Sequence, residues 1–149
     1  MNIKEIIFNS ITSLLRENLT VKNEHEETIK SQEKKTDEIL CDFLTVIDSF
    51  ERAEQIIKEK KLVSDEDSNT QMAMNRLLNA KRKALSVLEK YDVKRIVFEN
   101  NKSVAEYCEV SDTEPDANRE TGDIVSIEKQ GYTRHGYLLR PAEVIIVKN

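Results

Sequence analysis

Residues 131–141, GYTRHGYLLRP, concentrate the side chains best suited to polar recognition. The stretch contains Arg134, His135, Tyr137 and Arg140, together with two of the three glycines of the chain. Arginine and tyrosine combine a large contact area with hydrogen-bonding groups, and they are therefore common anchors in protein interfaces. This combination of side chains indicates binding to a partner surface.

No catalytic motif accompanies this stretch. The only G-x-x-x-x-G runs from Gly131 to Gly136, and it lacks the following Lys-Ser/Thr that a phosphate-binding loop requires. Two histidines and two cysteines at scattered positions do not match a metal-ligand pattern. Asp48, Glu51 and Arg52 share one predicted helix, where an Asp48–Arg52 pair at i,i+4 is the simplest interpretation. We therefore expect a non-enzymatic protein with no cofactor and no metal.

The composition favours long helices over a compact apolar core. The chain is 38% hydrophobic, 34% charged and 5% aromatic, and it has no glycine or proline before Pro115. Its net charge of −5 is not segregated into a basic half, so we do not expect nucleic acid as a partner. There is no apolar run of roughly 18 residues that could span a membrane, and no signal peptide is recognisable. These features predict a cytoplasmic protein.

Two different helical patterns precede residue 39. Residues 3–19 place Ile and Leu side chains at spacings of three and four, which predicts one amphipathic helix. Residues 22–38 contain Ile29 as their only large apolar side chain among many charges. This second segment is therefore either a solvated helix or a disordered tether.

A heptad-like apolar stripe begins at Leu40 and predicts a helix that ends in the polar stretch after Lys60. Asn69 or Thr70 is the expected N-cap of a second amphipathic helix over residues 71–91. Two such helices should form an antiparallel hairpin, and a second copy of the chain would complete a four-helix bundle. The predicted dimerisation residues are Leu40, Phe43, Ile47, Phe50, Ile57, Leu78, Leu85 and Leu88.

Short segments rich in valine and isoleucine follow Tyr91 and predict a small β domain of four to six strands. The predicted strands are 95–99, 103–110, 123–130 and 143–148, and residues 111–123 are expected to form an exposed loop. The segment 133–136 is interpreted as the tip of a hairpin, with Gly131 and Gly136 supplying unusual backbone angles. Pro141 indicates an edge or a bulge, because proline cannot donate to a central strand pairing.

Three segments resemble the GrpE family of nucleotide exchange factors for DnaK-type chaperones. KQGYTRHGYLLRPAEVIIV, residues 129–147, is similar to the end of the family's β domain. FLTVIDSFERA, residues 43–53, and LSVLEKYDVKRI, residues 85–96, resemble two of its helical motifs and occur in the same order. The resemblance covers roughly residues 35–149.

The chain departs from the family pattern at several positions. Leu44-Thr45 replaces Leu-Pro, and Asp92 stands where the family has the glycine of Phe-Gly-Val. Ala105-Glu106-Tyr107 replaces a His-Glu-Ala motif, and Tyr137 follows the turn glycine where an arginine is common. The family's N-terminal stalk motif is not recognisable in residues 1–38.

The resemblance implies an α+β homodimer built from a long N-terminal helix, a helical hairpin in a dimeric four-helix bundle, and a C-terminal all-β wing. It implies that the wing inserts against the chaperone's nucleotide-binding domain and promotes ADP release. We expect a stalk over residues 1–38, a dimerisation bundle over 39–92 and a wing over 93–149. The candidate chaperone contacts are Lys129, Tyr132, Arg134, His135, Tyr137 and Arg140.

Some alternatives stay open at this point. Tyr132 is expected in the wing core more than at a contact, and Arg140 fits either an internal salt bridge or a partner contact. The chain could be a dimeric adaptor of the same fold without exchange activity. A third interpretation is a membrane-surface protein anchored by residues 3–19, although Lys4 and Arg16 alone would attract anionic lipid only weakly.

Overall fold

The computed structural model describes residues 2–59 and 68–149 and shows an α+β protein. Within these described residues, two helices are followed by six short strands, and one turn of 3-10 helix lies between the first two strands at Glu99–Asn101. The elements are α1 Ile3–Glu59, α2 Ser68–Lys90, β1 Val93–Arg95, β2 Cys108–Glu114, β3 Ile124–Lys129, β4 Tyr132–Arg134, β5 Tyr137–Arg140 and β6 Ala142–Val147. The chain forms two compact units, Met1–Ile39 and Leu40–Asn149.

The first unit is helical from Ile3 onward, so residues 22–38 form the solvated helix of the two predicted alternatives. Threonine is not a strong helix former, yet four threonines occur here. Each hydroxyl donates to the carbonyl oxygen four residues earlier, for example Thr12 to Phe8 at 2.8 Å and Thr28 to Glu24 at 2.8 Å. These bonds satisfy the hydroxyl groups within the helix. None of the described helices has an apolar stretch long enough to cross a membrane.

In the second unit, α2 lies antiparallel to the C-terminal part of α1, as predicted. Lys81 of α2 contacts Glu54, whereas Leu88, further along α2, packs with the earlier α1 residues Leu44 and Ile47. The predicted N-caps were wrong: Asn69 and Thr70 lie within α2, which is described from Ser68 onward. The predicted end of the first helix falls on residues 60–67, outside the described residues.

The predicted dimerisation stripe divides between two environments. Leu40, Ile47 and Leu88 are buried within the single chain, in a core that also contains Leu44, Val93 and Tyr132. Phe43 and Leu85 pack against this core. The remaining predicted residues, Phe50, Ile57 and Leu78, are half-buried. One chain therefore covers part of the stripe by packing the β domain against the helices.

The β domain contains two three-stranded sheets. In the first sheet the order is β1-β4-β5 and all pairings are antiparallel. In the second sheet β6 is central, antiparallel to β3 and parallel to β2. The predictions for β3 and β6 were close to their observed bounds.

The first two predicted strands were displaced. The strand expected at 95–99 is Val93–Arg95, because its pairing partner β4 is only three residues long and ends opposite Arg95 at Tyr132. The strand expected at 103–110 begins only at Cys108 and continues to Glu114, into the predicted loop. Pairing with the central strand β6 extends β2 beyond its apolar residues.

Candidate functional site: the C-terminal hairpin

The stretch singled out from the sequence forms a tight hairpin of β4 and β5. Arg134 pairs with Tyr137 at its end, so His135 and Gly136 are the two turn residues. Both have positive φ, 49° and 81°, as a two-residue type I′ turn requires. A Cβ on Gly136 would meet nothing within 4 Å, so the backbone angle is the reason for glycine there. The predicted tip is confirmed.

Gly131 has a different role from the one predicted. Its φ is not in the left-handed region, but a Cβ at this position would lie 2.6 Å from the Ala142 nitrogen and 2.8 Å from Ile96 Cδ1. Any side chain here would therefore push the hairpin away from β6. Gly131 is required because two segments approach closely, and not because of its backbone angle.

Pro141 joins the two sheets. It lies between β5, an edge strand of the first sheet, and β6, the central strand of the second. Pro141 was expected at an edge or a bulge, and it directly follows the edge strand β5 without being part of a strand. A residue without an N–H suits the short connection between strands of different sheets, where no ladder partner is lost.

Arg140 joins the hairpin to α1. Its Nη1 and Nη2 donate to the two carboxylate oxygens of Asp48, both at 2.7 Å, and Nη2 also donates to the Gln130 carbonyl oxygen at 2.8 Å. The guanidinium carbon lies 5.5 Å from the centre of the Tyr132 ring. This fork geometry is the strong form of an Arg–carboxylate pair. The predicted Asp48–Arg52 pair was wrong, since Asp48 is bound to Arg140 across 92 residues of sequence.

Two candidate contact residues lie inside the domain. Tyr132 is only 2% exposed and belongs to the main core, and Arg134 is 8% exposed. Arg134 Nη1 donates to the Tyr137 hydroxyl oxygen at 3.2 Å. Both side chains therefore lie beneath the exposed surface of the hairpin. Arg134 was expected to project from the tip, and this prediction was wrong. Strand alternation places it on the buried face.

The exposed part of the tip consists of His135, Tyr137 and Leu138. Tyr137 is 43% exposed, and its ring centre lies 6.5 Å from that of His135. Leu138 is exposed beside them and was not singled out from the sequence. Lys129 lies at the end of β3 and forms a 3.0 Å ion pair with Glu143. The tip thus presents one aromatic, one imidazole and one aliphatic side chain.

The tip is also connected to the end of α2. His135 Nδ1 lies 3.3 Å from Asp92 Oδ2, and Lys94 Nζ lies 2.8 Å from Asp92 Oδ1. The hydrogen bond from Lys94, and to a smaller extent His135, lowers the pKa of Asp92. Asp92 follows α2 with a left-handed φ of 56°, the position where the family has glycine. Its carboxylate provides a contact to the hairpin that glycine could not make.

A second charged group ties α1 to α2 and β1. Glu54 contacts Lys58 at 2.6 Å and Lys81 at 2.8 Å, and Glu51 contacts Lys81 and Arg95. The hydrogen bonds from Lys58 and Lys81 lower the pKa of Glu54 to about 2. Glu54 lies between the stripe residues Phe50 and Ile57, and the sequence did not reveal its long-range partners.

The fold is that of an α+β protein, with a long helix, an antiparallel pair of helices and a small β domain. The exposed side chains at the tip of its β4–β5 hairpin are suited to binding another protein. The sequence matches the GrpE family over residues 3–148, and the chain belongs to this family. A protein of Neurospora crassa described as "GrpE protein homolog, mitochondrial" is 29% identical over 112 residues, which is 72% of this chain and 47% of that protein. The chain thus spans about half the length of this curated relative.

Proposed function

We propose that this protein is a homodimeric nucleotide exchange factor that promotes ADP release from a DnaK-type chaperone. Its membership of the GrpE family and its similarity to the Neurospora protein support this function. The structural observation that carries the proposal is the β4–β5 hairpin. The tip of this hairpin is exposed, and the opposite end is bonded to α1. In this proposal residues 39–92 contribute the dimer interface and residues 93–149 act as the wing.

An exchange factor can act without any chemistry of its own. It needs to bind the open state of the nucleotide-binding domain more tightly than the closed state, because this difference in affinity shifts the population toward the open state. A flexible wing would adapt to both states of the nucleotide-binding domain, and the difference in affinity between them would be lost. The bidentate Arg140–Asp48 pair and the core around Tyr132 hold the hairpin against the helix and restrict such adaptation.

His135, Tyr137 and Leu138 are the side chains that we propose for direct contact with the chaperone. Lys129 lies outside the tip and is a candidate for the margin of the interface. Arg134, Tyr132 and Arg140 support this surface, since their side chains are largely enclosed. Arg134 donates a hydrogen bond to the hydroxyl of Tyr137, which stands at the position where family members commonly have arginine.

The homodimer is supported by apolar side chains that the helices of the second unit leave exposed. Val46 and Ile56 of α1 and Val87 of α2 are each 40% or more exposed. Isolated apolar side chains on a surface are ordinary, but several on adjacent helices are typical of an interface. A second copy of the helical pair formed by α1 and α2 would cover these side chains in a four-helix bundle.

The test is the rate at which a fluorescent ADP analogue leaves a DnaK-type chaperone with and without this protein. We expect the wild type to accelerate release, and Tyr137→Ala to slow the stimulated rate at least tenfold, equivalent to ~1.4 kcal/mol of differential binding. Val110→Ala is the matched control, because Val110 is 49% exposed but lies on β2 in the other sheet.

The outcomes separate the alternatives. A wild-type protein that binds the chaperone without accelerating ADP release would be the adaptor and not an exchange factor. If Tyr137→Ala and Val110→Ala stimulate release equally, the chaperone contacts lie elsewhere on the wing.

A further inference from the structure

Strand pairing in the first sheet places Asp92 beside His135. Strand β1 pairs antiparallel with β4, and Val93 is opposite Arg134. The residue before Val93 is therefore next to the residue after Arg134. Both of these residues have a left-handed φ, 56° for Asp92 and 49° for His135. Their side chains meet, with His135 Nδ1 3.3 Å from Asp92 Oδ2. The segment after α2 thus contacts the turn that forms the exposed tip of the β4–β5 hairpin.

The charge of Asp92 decides the direction of this hydrogen bond. Lys94 Nζ lies 2.8 Å from the other carboxylate oxygen, Oδ1. The hydrogen bond from Lys94, and to a smaller extent that from His135, lowers the pKa of Asp92, so its carboxylate is ionised at neutral pH. An ionised carboxylate can only accept hydrogen bonds. His135 must therefore carry a proton on Nδ1 to make this contact.

A proton on Nδ1 fixes the hydrogen-bonding character of the other ring nitrogen. In a neutral imidazole one nitrogen is a donor and the other is an acceptor. With the donor facing Asp92, the acceptor is Nε2, which is directed away from the carboxylate. The side chain of His135 is 52% exposed, and its ring centre lies 6.5 Å from that of Tyr137. Neutral His135 thus offers a lone pair within the surface proposed to contact the chaperone.

Cations are linked to this imidazole through its neighbours. Lys94 of β1 binds the carboxylate of Asp92, and Arg134 of β4 donates to the Tyr137 hydroxyl at 3.2 Å. Protonation of Nε2 would add another positive charge to this group and replace the lone pair by a donor. Imidazoles gain this proton between about pH 8 and pH 5. Within that range the tip changes from a hydrogen-bond acceptor to a cationic donor.

We propose that Asp92 is a positioning residue that holds His135 with Nε2 as an acceptor, and that the chaperone group facing Nε2 is a hydrogen-bond donor. A basic side chain or an N–H group fits this position, and a carboxylate does not. Chaperone binding then weakens as pH falls, because the protonated ring can no longer accept this hydrogen bond. This inference rests on the proposed exchange function and adds the chemistry of one contact and its pH dependence.

The protonated ring nitrogen is identified in the free full-length chain by ¹⁵N NMR at pH 8. The chain has two histidines, and His135→Asn assigns their signals, with the exposed His25 as an internal reference. We expect the proton of wild-type His135 on Nδ1. Asp92→Gly should move it to Nε2 or give a mixture, since glycine accepts the φ of 56° and removes the carboxylate. A proton on Nε2 in the wild type would overturn the proposal.

The chaperone contact is tested by the dissociation constant of the full chain for a nucleotide-free DnaK-type chaperone between pH 8 and pH 6. We expect the wild-type affinity to fall by about threefold or more over this range, because imidazoles gain a proton within it. His135→Asn keeps a residue that tolerates the left-handed turn but does not titrate. Its pH dependence therefore reports the titration of all other groups, those of the chaperone included.

The role of Asp92 is tested at pH 8 in the same assay. Asp92→Gly should bind about threefold more weakly than the wild type, a loss within the range of one net hydrogen bond. Asn101→Gly is the matched control, because Asn101 also has a left-handed φ, 55°, but lies in the 3-10 turn between β1 and β2. This control should bind like the wild type. Equal affinity of Asp92→Gly and the wild type would overturn the positioning role.

The remaining outcomes separate this inference from the proposed function. A wild type with the same pH dependence as His135→Asn would overturn the role of His135 and leave the exchange function intact. An affinity that rises on acidification in the wild type, but not in His135→Asn, would show an acceptor on the chaperone and also overturn the inference. Absence of binding at every pH would overturn the proposed function and the chaperone contact together.

Discussion

The helical segments before and after residue 39 have similar apolar periodicity but different surroundings. In residues 3–21 every large apolar side chain is exposed, whereas Leu40, Leu44 and Ile47 are buried within their own chain. The second segment is enclosed because α2, β1 and the hairpin pack against it. Periodicity therefore identifies the apolar face of a helix, but not whether that face is covered or what covers it. Each of the following substitutions challenges or refines this contrast.

The largest effect is expected for Ile47→Ala, because Ile47 is fully buried. Removing three buried carbon atoms should destabilise the second unit by about 3–4 kcal/mol. Urea unfolding followed by tyrosine signals measures this unit alone, since all four tyrosines, 91, 107, 132 and 137, lie after residue 39. The counterpart Leu14→Ala should change this transition by less than ~0.5 kcal/mol. Equal losses would contradict the contrast between the two segments.

Asp48→Asn should weaken the attachment of the hairpin to α1. The variant removes the charge that binds Arg140 and leaves the guanidinium largely enclosed. We expect a loss of about 2–3 kcal/mol, below the range for a fully buried pair because both side chains retain some exposure. Asp42→Asn makes the same change at an exposed position of α1 and should have little effect. A stable Asp48→Asn protein would show that packing around Tyr132 holds the hairpin without the ion pair.

The pH dependence of stability tests the group around Glu54. Because the folded pKa of about 2 lies below the ordinary value of 4.5, the ionised carboxylate stabilises the fold above pH ~4.5, and this contribution is lost as pH falls toward 2. We expect Glu54→Gln to reduce stability at pH 7 by about 1–2 kcal/mol, allowing for solvent screening, and to flatten the decline below pH 4.5. Glu89→Gln, at an exposed position of α2, should keep the wild-type slope. An unchanged slope in Glu54→Gln would rule out this carboxylate as the source.

The smallest effect is expected at the hairpin tip. Asparagine tolerates left-handed angles and the His135–Asp92 contact is exposed, so His135→Asn should change stability by less than ~0.5 kcal/mol. His135→Val should cost about 1–2 kcal/mol, because a β-branched residue is strained at this φ. The difference between the two variants isolates the backbone requirement of the turn. Equal stability of both would show that the turn relaxes to another conformation.

Local signals located the hairpin and most elements correctly. The pair of glycines around a polar segment predicted a hairpin tip at residues 133–136, which contains the observed turn residues 135 and 136, and short segments rich in valine and isoleucine predicted β3 and β6. The same local information misplaced β1 and β2. The first strand is only as long as its partner β4, and pairing with β6 extends the second through polar residues, which no periodicity would indicate.

By itself the sequence determined the α+β order of elements, the antiparallel helical pair, the position of the hairpin turn and the resemblance to the GrpE family. These depend on side-chain periodicity, turn chemistry and motif order, which are properties of short segments. Only the tertiary structure decided that Leu40, Ile47 and Leu88 face the β domain of their own chain, that Asp48 binds Arg140, and that Arg134 lies beneath Tyr137. Such contacts join residues far apart in the chain. Their geometry follows from how whole elements pack, and the same local pattern is compatible with several partners.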